Sequence, residues 1–250
     1  MADLNYFENR RSVRCYTDQH IPDEELKRMI AAATHAPNTG NMQLYSVIVT
    51  RSKEGKEALA PAHFNQGAVT SADAVLTFCL DIRRFEHWCH LRKAKPGFDT
   101  FQSFVAAVID TSIFAQQFCT IAEMDGLGTC YLGTTTYNAP DIAMALELPQ
   151  GVVPVTTVTV GYPAEDATGP TWRLPVERIM HQETYQDTCD ADIEEAYAAL
   201  EADPMSETYI KENGKETLAQ VFTDVRYPRE SAEYFSSVYL SLLDDNNFEI

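Results

Sequence analysis

Residues 101–124 read FQSFVAAVIDTSIFAQQFCTIAEM, the longest stretch of the chain in which apolar residues recur at helical spacing. One stripe of such a helix carries Phe104, Val108, Thr111, Ala115 and Phe118, and further apolar residues surround that stripe. A helix that is apolar on all sides belongs inside a folded domain. We therefore expect residues 101–124 to form a central core helix.

Helical and strand patterns alternate on both sides of this helix. Residues 21–36, IPDEELKRMIAAATHA, carry Pro22 and three acidic residues in the first turn, which favour a helix N-terminus. Three segments, 44–50, 72–81 and 152–163, are apolar and rich in β-branched residues, which favours strands. The alternation predicts an α/β or α+β fold class.

The C-terminal part of the chain has a different pattern. Three helical patches, at residues 192–201, 217–225 and 232–243, are separated by polar turns. We expect a single domain over residues 1–250, with a core at about 5–185 and a C-terminal helical extension at about 186–250.

Composition excludes several classes of function. The chain has 250 residues, of which 45% are hydrophobic, and its 19 Lys and Arg against 37 Asp and Glu give a net charge of −18. An acidic protein lacks the basic surface that nucleic acid or an anionic membrane requires. No apolar run approaches the roughly 18 residues of a membrane helix. The start of the chain lacks a signal-peptide pattern, so we expect a cytoplasmic protein with no nucleic-acid or membrane partner.

The six cysteines are scattered and form no C-x-x-C pair. They favour reduced thiols over a disulfide framework, and no His and Cys set has the spacing of a metal site.

Positive charge is concentrated in two parts of the chain. Thirteen of the 19 Lys and Arg lie between Arg10 and Lys95, none lies in residues 96–172, and Arg173 is the first of the remaining six. An anionic ligand would therefore take its cationic contacts from the N-terminal third of the chain or from Arg173 onward.

The glycine-rich stretch DGLGTCYLG, residues 125–133, reads as a turn and not as a dinucleotide site. Tyr131 stands where G-x-G-x-x-G needs its third glycine, and the stretch follows a helix where that motif follows a strand. No P-loop and no G-x-S-x-G elbow is found in the sequence.

The segment Arg10-Arg11-Ser12-Val13-Arg14 has the composition of a phosphate site. If the segment is extended, Arg10, Ser12 and Arg14 point to one side. Guanidinium groups and a hydroxyl on one face can bind a phosphate through charge-assisted hydrogen bonds. The alternative is a solvated basic patch on an acidic protein.

Several short motifs occur along the chain in a fixed order: RRSVRCY at residue 10, APNTGNMQ at 36, KPGF at 95, GLGTCYLG at 126, VGYP at 160 and WRLP at 172. This series resembles the FMN-dependent nitroreductase family over about residues 5–245. It is most similar to the branch of oxygen-insensitive NADPH nitroreductases and flavin reductases. The resemblance implies a three-layer fold, in which helices surround a central, mostly antiparallel sheet.

The resemblance implies an FMN site with contributions from four parts of the chain. Arg10, Arg11 and Ser12 would bind the FMN phosphate, and Arg14 would lie near the flavin pyrimidine edge, where a cation stabilises the reduced flavin. The other implied FMN-binding residues are Asn38, Thr39, Asn41, Gln43, Gln66, Leu132, Gly133, Thr134 and Arg173. Gly133 would allow the backbone of its turn to approach flavin N5 closely.

Two positions depart from the family pattern. Thr171 stands where many relatives have a lysine that contacts the phosphate, and Thr136 stands where they have an arginine on the substrate side. These differences bear on FMN affinity, on the choice between NADPH and NADH, and on the preferred acceptor.

The resemblance also implies the reaction. NAD(P)H would reduce FMN and leave, and a nitroaromatic, a quinone or a free flavin would then take two electrons at the same site, in a ping-pong cycle without a catalytic triad or a metal. Family members form intertwined homodimers with FMN at the interface. The alternatives are a non-redox FMN-binding protein and a flavin-dependent reductive dehalogenase.

Overall fold

The central sheet has four strands in the order β1-β2-β4-β3, and all neighbouring strands are antiparallel. The computed structural model describes residues 4–164 and 171–249. The strands are β1 (Tyr45–Thr50), β2 (Ala74–Asp81), β3 (Gly128–Leu132) and β4 (Val152–Gly161). The two central strands are buried along nearly their whole length, because helices cover both faces of the sheet.

Eleven α-helices are found in the described residues. They are α1 (Leu4–Glu8), α2 (Asp23–Ala33), α3 (Lys53–Leu59), α4 (Gly67–Ser71), α5 (Arg83–Leu91), α6 (Phe101–Met124), α7 (Ala139–Ala145), α8 (Asp190–Glu201), α9 (Pro204–Glu212), α10 (Leu218–Gln220) and α11 (Arg229–Asp245). Short 3₁₀ turns lie at Thr39–Asn41, Pro61–His63, Gly133–Thr136 and Val176–Arg178, and a π-helical turn follows α10 at Val221–Arg226. The predicted α+β class is confirmed.

Three apolar clusters form the core, and two of them show that helices cover opposite faces of the sheet. On one face, α2 and α6 pack against Leu76 and Phe78 of β2 and against β4. On the other face, α3 and α7 pack against Val75 of β2 and against Cys130 and Leu132 of β3. This arrangement of helix, sheet and helix is the predicted three-layer fold.

The helix that the sequence singles out, α6, has the predicted bounds and lies in the core. Phe114 stacks on Tyr45 with ring centroids 4.5 Å apart and meets Phe78 edge-on at 5.1 Å. Burial does not extend to all sides of the helix. One side is exposed and carries Phe101, Val105, Ile109 and Ile113, which we call the α6 stripe.

The expectation that no apolar run reaches membrane length is also wrong. By length and composition alone, α6 could cross a membrane. Nine of its residues, including Phe114 and Phe118, are nevertheless buried, and those two lie in the cluster that also contains Leu76, Phe78 and Val158 of the sheet. This is the packing of a core helix.

The glycine-rich turn predicted at residues 125–133 is largely strand β3, so that prediction is wrong. Thr129, Cys130 and Leu132 are buried in the sheet, and only Asp125 to Leu127 form the connection from α6. Gly126, with a left-handed φ of 85°, does lie in that connection, whereas Gly128 has another cause, because it makes room for a side chain that packs on it. Helices α5 and α9 were not predicted.

A proline in the central strand β4 coincides with an irregularity of the sheet. Phe78 of β2 pairs with Thr156, whereas the next residue, Cys79, pairs with Pro154, so that β4 has one extra residue at this point. Proline cannot donate to the ladder and is tolerated at such bulges.

The described chain divides into two compact units, one formed by residues 4–164 and 235–249, the other by residues 171–234. In the second unit, Arg178 forms ion pairs with Asp192 and Glu195 of α8, at 2.8 and 2.7 Å. Arg226 lies over the ring of Tyr209 in α9, at 4.2 Å from its centroid. The single domain expected over residues 1–250 stays a prediction.

Candidate functional site

The arginine-rich segment 10–14 runs beside the edge strand β3. The backbone N–H of Val13 donates to the carbonyl of Thr129 at 2.9 Å, and Val13 itself is buried. Arg10 and Ser12 are half-buried, whereas Arg11 and Arg14 are exposed. The sheet therefore fixes the segment through Val13 and leaves its polar residues accessible.

Two glycines make this close approach possible. A Cβ on Gly128 would lie 2.6 Å from the Cβ of Val13, and a Cβ on Gly161 would lie 2.9 Å from Cδ1 of Tyr16. The two glycines pair with each other across β3 and β4. The Tyr16 hydroxyl donates to the carbonyl of Val13 at 2.6 Å, which adds a second attachment.

Arg10 is held from the other side by Glu123, near the C-terminal end of α6. Its Nη2 lies 3.1 Å from Oε1 of Glu123, whose Oε2 accepts from the Tyr6 hydroxyl at 3.0 Å. The Thr129 hydroxyl also donates to Glu123. Burial, with the negative charge of Glu123, raises the pKa of Tyr6, so Tyr6 remains a donor at neutral pH. Arg10 is therefore oriented by a carboxylate with three partners.

The charges of Arg14 and Arg10 both affect the pKa of the Cys130 thiol in β3. Burial raises the pKa of Cys130, and the guanidinium groups of Arg14 and Arg10 oppose that rise. The Arg14 guanidinium therefore lies near the Cys130 side chain, whereas the Arg10 guanidinium pairs with Glu123. In the described part of the chain, neither Arg11 nor Arg14 has a carboxylate within ion-pair distance.

The loop of residues 38–43 has a strained backbone that is tightly held. Gly40, Asn41 and Gln43 all have left-handed φ angles, of 57°, 55° and 54°. Asn41 and Gln43 are exposed, and the amide of Gln43 donates to the side-chain oxygen of Asn41 at 3.3 Å. Non-glycine residues keep this conformation only where their surroundings determine it.

Three groups fix this loop. Asp110, buried in α6, accepts from the backbone N–H and from the hydroxyl of Thr39, both at 2.9 Å. Arg84 of α5 donates to the carbonyl of Gln43 at 2.7 Å, and the side-chain oxygen of Asn38 accepts from the N–H of Gln43 at 3.3 Å. The polar side chains of Asn41 and Gln43 are thus presented on a rigid frame.

A third group of candidate residues surrounds Thr134, in the turn after β3. Its Oγ1 lies 2.8 Å from Nδ1 of His63 and 3.5 Å from Nε2 of Gln66. His63 is completely buried, and burial lowers its pKa to about 4. Leu132 is buried beneath the turn, and a Cβ on Gly133 would meet no atom within 4 Å. The turn therefore has open space above Gly133.

The three groups of candidate residues do not all lie together within one chain. Segment 10–14 and the Thr134 turn are both attached to β3, whereas loop 38–43 leads into β1 at the opposite edge of the sheet. The anchors of the two, Asp110 and Glu123, are 13 positions apart on α6, which is about 20 Å of helix. Arg173 belongs to the second unit, where it donates to the carbonyl of Trp172 at 2.9 Å and also to the hydroxyl of Thr171.

Sequence reasoning missed the residues that hold the site. Asp110, Glu123, Arg84 and His63 were not predicted to have any role. A usable signal existed for two of them, because Asp110 and Glu123 are the two acids in the apolar run 101–124. Among the described residues, no group of three His, Cys, Asp or Glu could hold a metal ion.

The comparisons with known proteins agree with this architecture. The Nitroreductase family pattern matches residues 7–162. A Bacteroides fragilis protein of known structure is 49% identical, with a TM-score of 0.95 and coverage of 98% of this chain and 99% of that one. The FMN reductase [NAD(P)H] of Bacillus subtilis is 30% identical over 97% of this chain and 96% of its own length. The oxygen-insensitive NADPH nitroreductase of Salmonella typhimurium is 31% identical over 70% of this chain and 71% of its own. The chain belongs to the nitroreductase family.

Proposed function

We propose that this protein is an NAD(P)H-dependent FMN oxidoreductase that delivers two electrons to a nitroaromatic, a quinone or a free flavin in a ping-pong cycle. One observation carries the proposal: segment 10–14 and the open Thr134 turn are both attached to strand β3. The names of the relatives support it, since one is an FMN reductase [NAD(P)H] and another an NADPH nitroreductase. The six free cysteines fit a reducing, cytoplasmic location.

The residues present fit FMN. Arg11 and Arg14 are exposed cations without a carboxylate partner in the described part of the chain, as an anionic ligand requires. The open space above Gly133 lets a flat ring approach the backbone. We assign Arg10, Arg11, Ser12 and Arg173 to the phosphate and Arg14 to the pyrimidine edge of the ring. Asn38, Thr39, Asn41, Gln43, Gln66, Leu132, Gly133 and Thr134 would complete the site.

These residues contribute position and electrostatics. Bound FMN would supply the transfer of hydride and electrons between donor and acceptor. The fixed charge of Arg14 stabilises negative charge that develops on the pyrimidine side. Glu123 orients the Arg10 guanidinium, and the backbone of the turn at Gly133 would be open to a ring bound beside it.

The proposal includes a homodimer. The α6 stripe is exposed on a helix whose other side is buried in the core. It consists of Phe101, Val105, Ile109 and Ile113. Burial of such a stripe against a second copy would be favourable by about 25 cal/mol per Å² of apolar surface. A dimer would also account for the position of loop 38–43. Within one chain this loop lies at the opposite edge of the sheet from segment 10–14, and it would complete the site of the partner.

Dimerisation is tested with Ile109→Glu, which places a charge in the middle of the α6 stripe. Analytical ultracentrifugation should show a dimer for the unmodified protein and a monomer with less bound FMN for the variant. Ile109→Leu, which keeps this position apolar at nearly the same volume, is the matched control. A monomeric unmodified protein that holds FMN fully would contradict the proposal.

The redox function is tested on the purified protein. Two flavin absorption bands, near about 370 and 450 nm, are expected, and they should bleach under anaerobic NADPH or NADH. A protein that binds FMN but is bleached by neither donor would be a non-redox FMN-binding protein, or a reductive dehalogenase with another donor. The altered turn Thr134–Tyr137, in which Thr136 stands in place of the family arginine, keeps these alternatives open.

A further inference from the structure

The three consecutive threonines after β3 use their hydroxyl groups differently. Thr135 donates to the carbonyl of Leu132 at 2.8 Å, and Thr136 donates to the carbonyl of Gly133 at 3.2 Å. Both contacts link residues three positions apart, as is common for threonine in a turn. Thr134 makes no such contact in the described structure. Its hydroxyl oxygen instead faces the side-chain nitrogens of His63 and Gln66.

The state of His63 determines what the Thr134 hydroxyl can do. Burial lowers the pKa of His63 to about 4, so its ring is neutral at pH 7 and carries one N–H. Nδ1 lies 2.8 Å from Thr134 Oγ1, whereas the buried Nε2 has no partner among the described residues. An orphaned buried donor is rarer than an orphaned acceptor. The proton therefore belongs on Nδ1, where it is donated to Thr134.

The Thr134 oxygen then accepts two hydrogen bonds, one from His63 and one from the Gln66 amide at 3.5 Å. A hydroxyl oxygen has two acceptor positions and one proton. With both acceptor positions occupied, the proton must be directed elsewhere. Thr134 is half-buried, and the space above the adjacent Gly133 is open, so the hydroxyl proton is available to a ligand bound there.

We propose that the Thr134 hydroxyl donates a hydrogen bond to a carbonyl oxygen at the edge of the flavin ring, and that His63 and Gln66 are positioning residues that orient this donor. The inference rests on the proposed function, and it adds a side-chain contact to the backbone contact expected of the turn. Negative charge at a ring carbonyl grows when the flavin is reduced. A donor at this oxygen therefore binds reduced FMN more tightly than oxidised FMN.

The test measures the two-electron midpoint potential and the absorption spectrum of FMN bound to the full-length protein. Thr134→Val removes the hydroxyl at nearly constant volume and should weaken binding of reduced FMN relative to oxidised FMN by about tenfold, which lowers the potential by about 30 mV. Thr134→Ser retains the hydroxyl and should restore the potential. Thr70→Val removes an exposed hydroxyl that donates to the carbonyl of Gly67 in α4, also three positions earlier, and is the matched control, with no shift expected.

His63 is tested by two further variants. His63→Asn keeps an N–H near the position of Nδ1 and should stay close to the unmodified potential, whereas His63→Leu should shift the potential in the direction of Thr134→Val. If His63→Leu does not fold, the valine and serine variants of Thr134 still decide the proposal. An unchanged potential in Thr134→Val, or equal shifts in Thr134→Val and Thr70→Val, would overturn it. Failure of the unmodified protein to bind FMN would instead refute the proposed function, and this inference with it.

Discussion

Gly128 is the position at which one added carbon should displace the candidate phosphate-binding segment. In Gly128→Ala the new Cβ would lie 2.6 Å from Cβ of Val13 and 2.7 Å from both of its γ carbons. Carbon atoms in contact are normally about 3.5–4.0 Å apart. Because β3 is fixed by its ladder with β4, segment 10–14 has to move outward by about 1 Å.

The magnitude follows from what this movement breaks. Overpacking a tight contact costs about 1–3 kcal/mol. The hydrogen bond from the Val13 N–H to Thr129, 2.9 Å long, would be stretched beyond its useful range, which costs about a further 1 kcal/mol. We expect Gly128→Ala to lower the free energy of unfolding by about 2–4 kcal/mol. FMN affinity should fall at least tenfold, because Arg10 and Arg14 move with the segment.

Urea unfolding followed by circular dichroism measures the stability, and fluorescence titration measures FMN binding. Gly67→Ala is the control, since its Cβ would meet nothing and alanine favours the helix α4. Val13→Ala removes the two γ carbons and should recover part of the stability lost in Gly128→Ala, although it is destabilising alone. Gly128→Ala with unchanged stability and FMN affinity would show that this contact does not fix the segment.

Three other substitutions or conditions have defined outcomes. Arg10→Ala should weaken FMN binding by about 1.5–3 kcal/mol in a fluorescence titration, whereas unchanged retention would rule out a phosphate contact. Lowering the pH from 7 to 4 should destabilise the fold by about 3 kcal/mol through His63. The cause is that the histidine takes up a proton near pH 6.5 in the unfolded chain but only at about pH 4 in the folded chain. Urea titrations should show that His63→Asn loses this share of the pH dependence. Asp110→Ala should release Thr39 and make residues 38–43 sensitive to limited proteolysis, and continued resistance would contradict its anchoring role.

The parts of the fold that were predictable are those in which one periodicity extends over many residues. Helix α6 has its predicted bounds because its apolar pattern fills 24 positions, and β2 was visible as a fully buried apolar strand. Strand β3 was missed because its five residues begin at one glycine and are followed directly by another. Gly128 is there for a contact with Val13, 115 positions away in the sequence, and no local pattern reports such a contact.

The candidate site also has one part that the sequence can predict and one part that it cannot. The motif order singles out the residues proposed to bind FMN, because they are grouped in short segments. The residues that hold these segments, such as Glu123 beneath Arg10 and Arg84 beneath Gln43, are distant in sequence and act by tertiary contact. The pairing of His63 with Thr134 is of the same kind, since 71 positions separate them.

The two carboxylates of α6 show how such anchors can be found in other sequences. A carboxylate in a core helix is destabilising unless it accepts strong hydrogen bonds, because burial removes its hydration. Asp110, only 1% exposed, accepts two hydrogen bonds from Thr39, and Glu123 accepts from Arg10, Tyr6 and Thr129. Each acid in the apolar run thus holds a segment of the candidate site. An isolated acid within an apolar helical run therefore predicts a polar segment packed against that helix, and it does so before any tertiary structure is known.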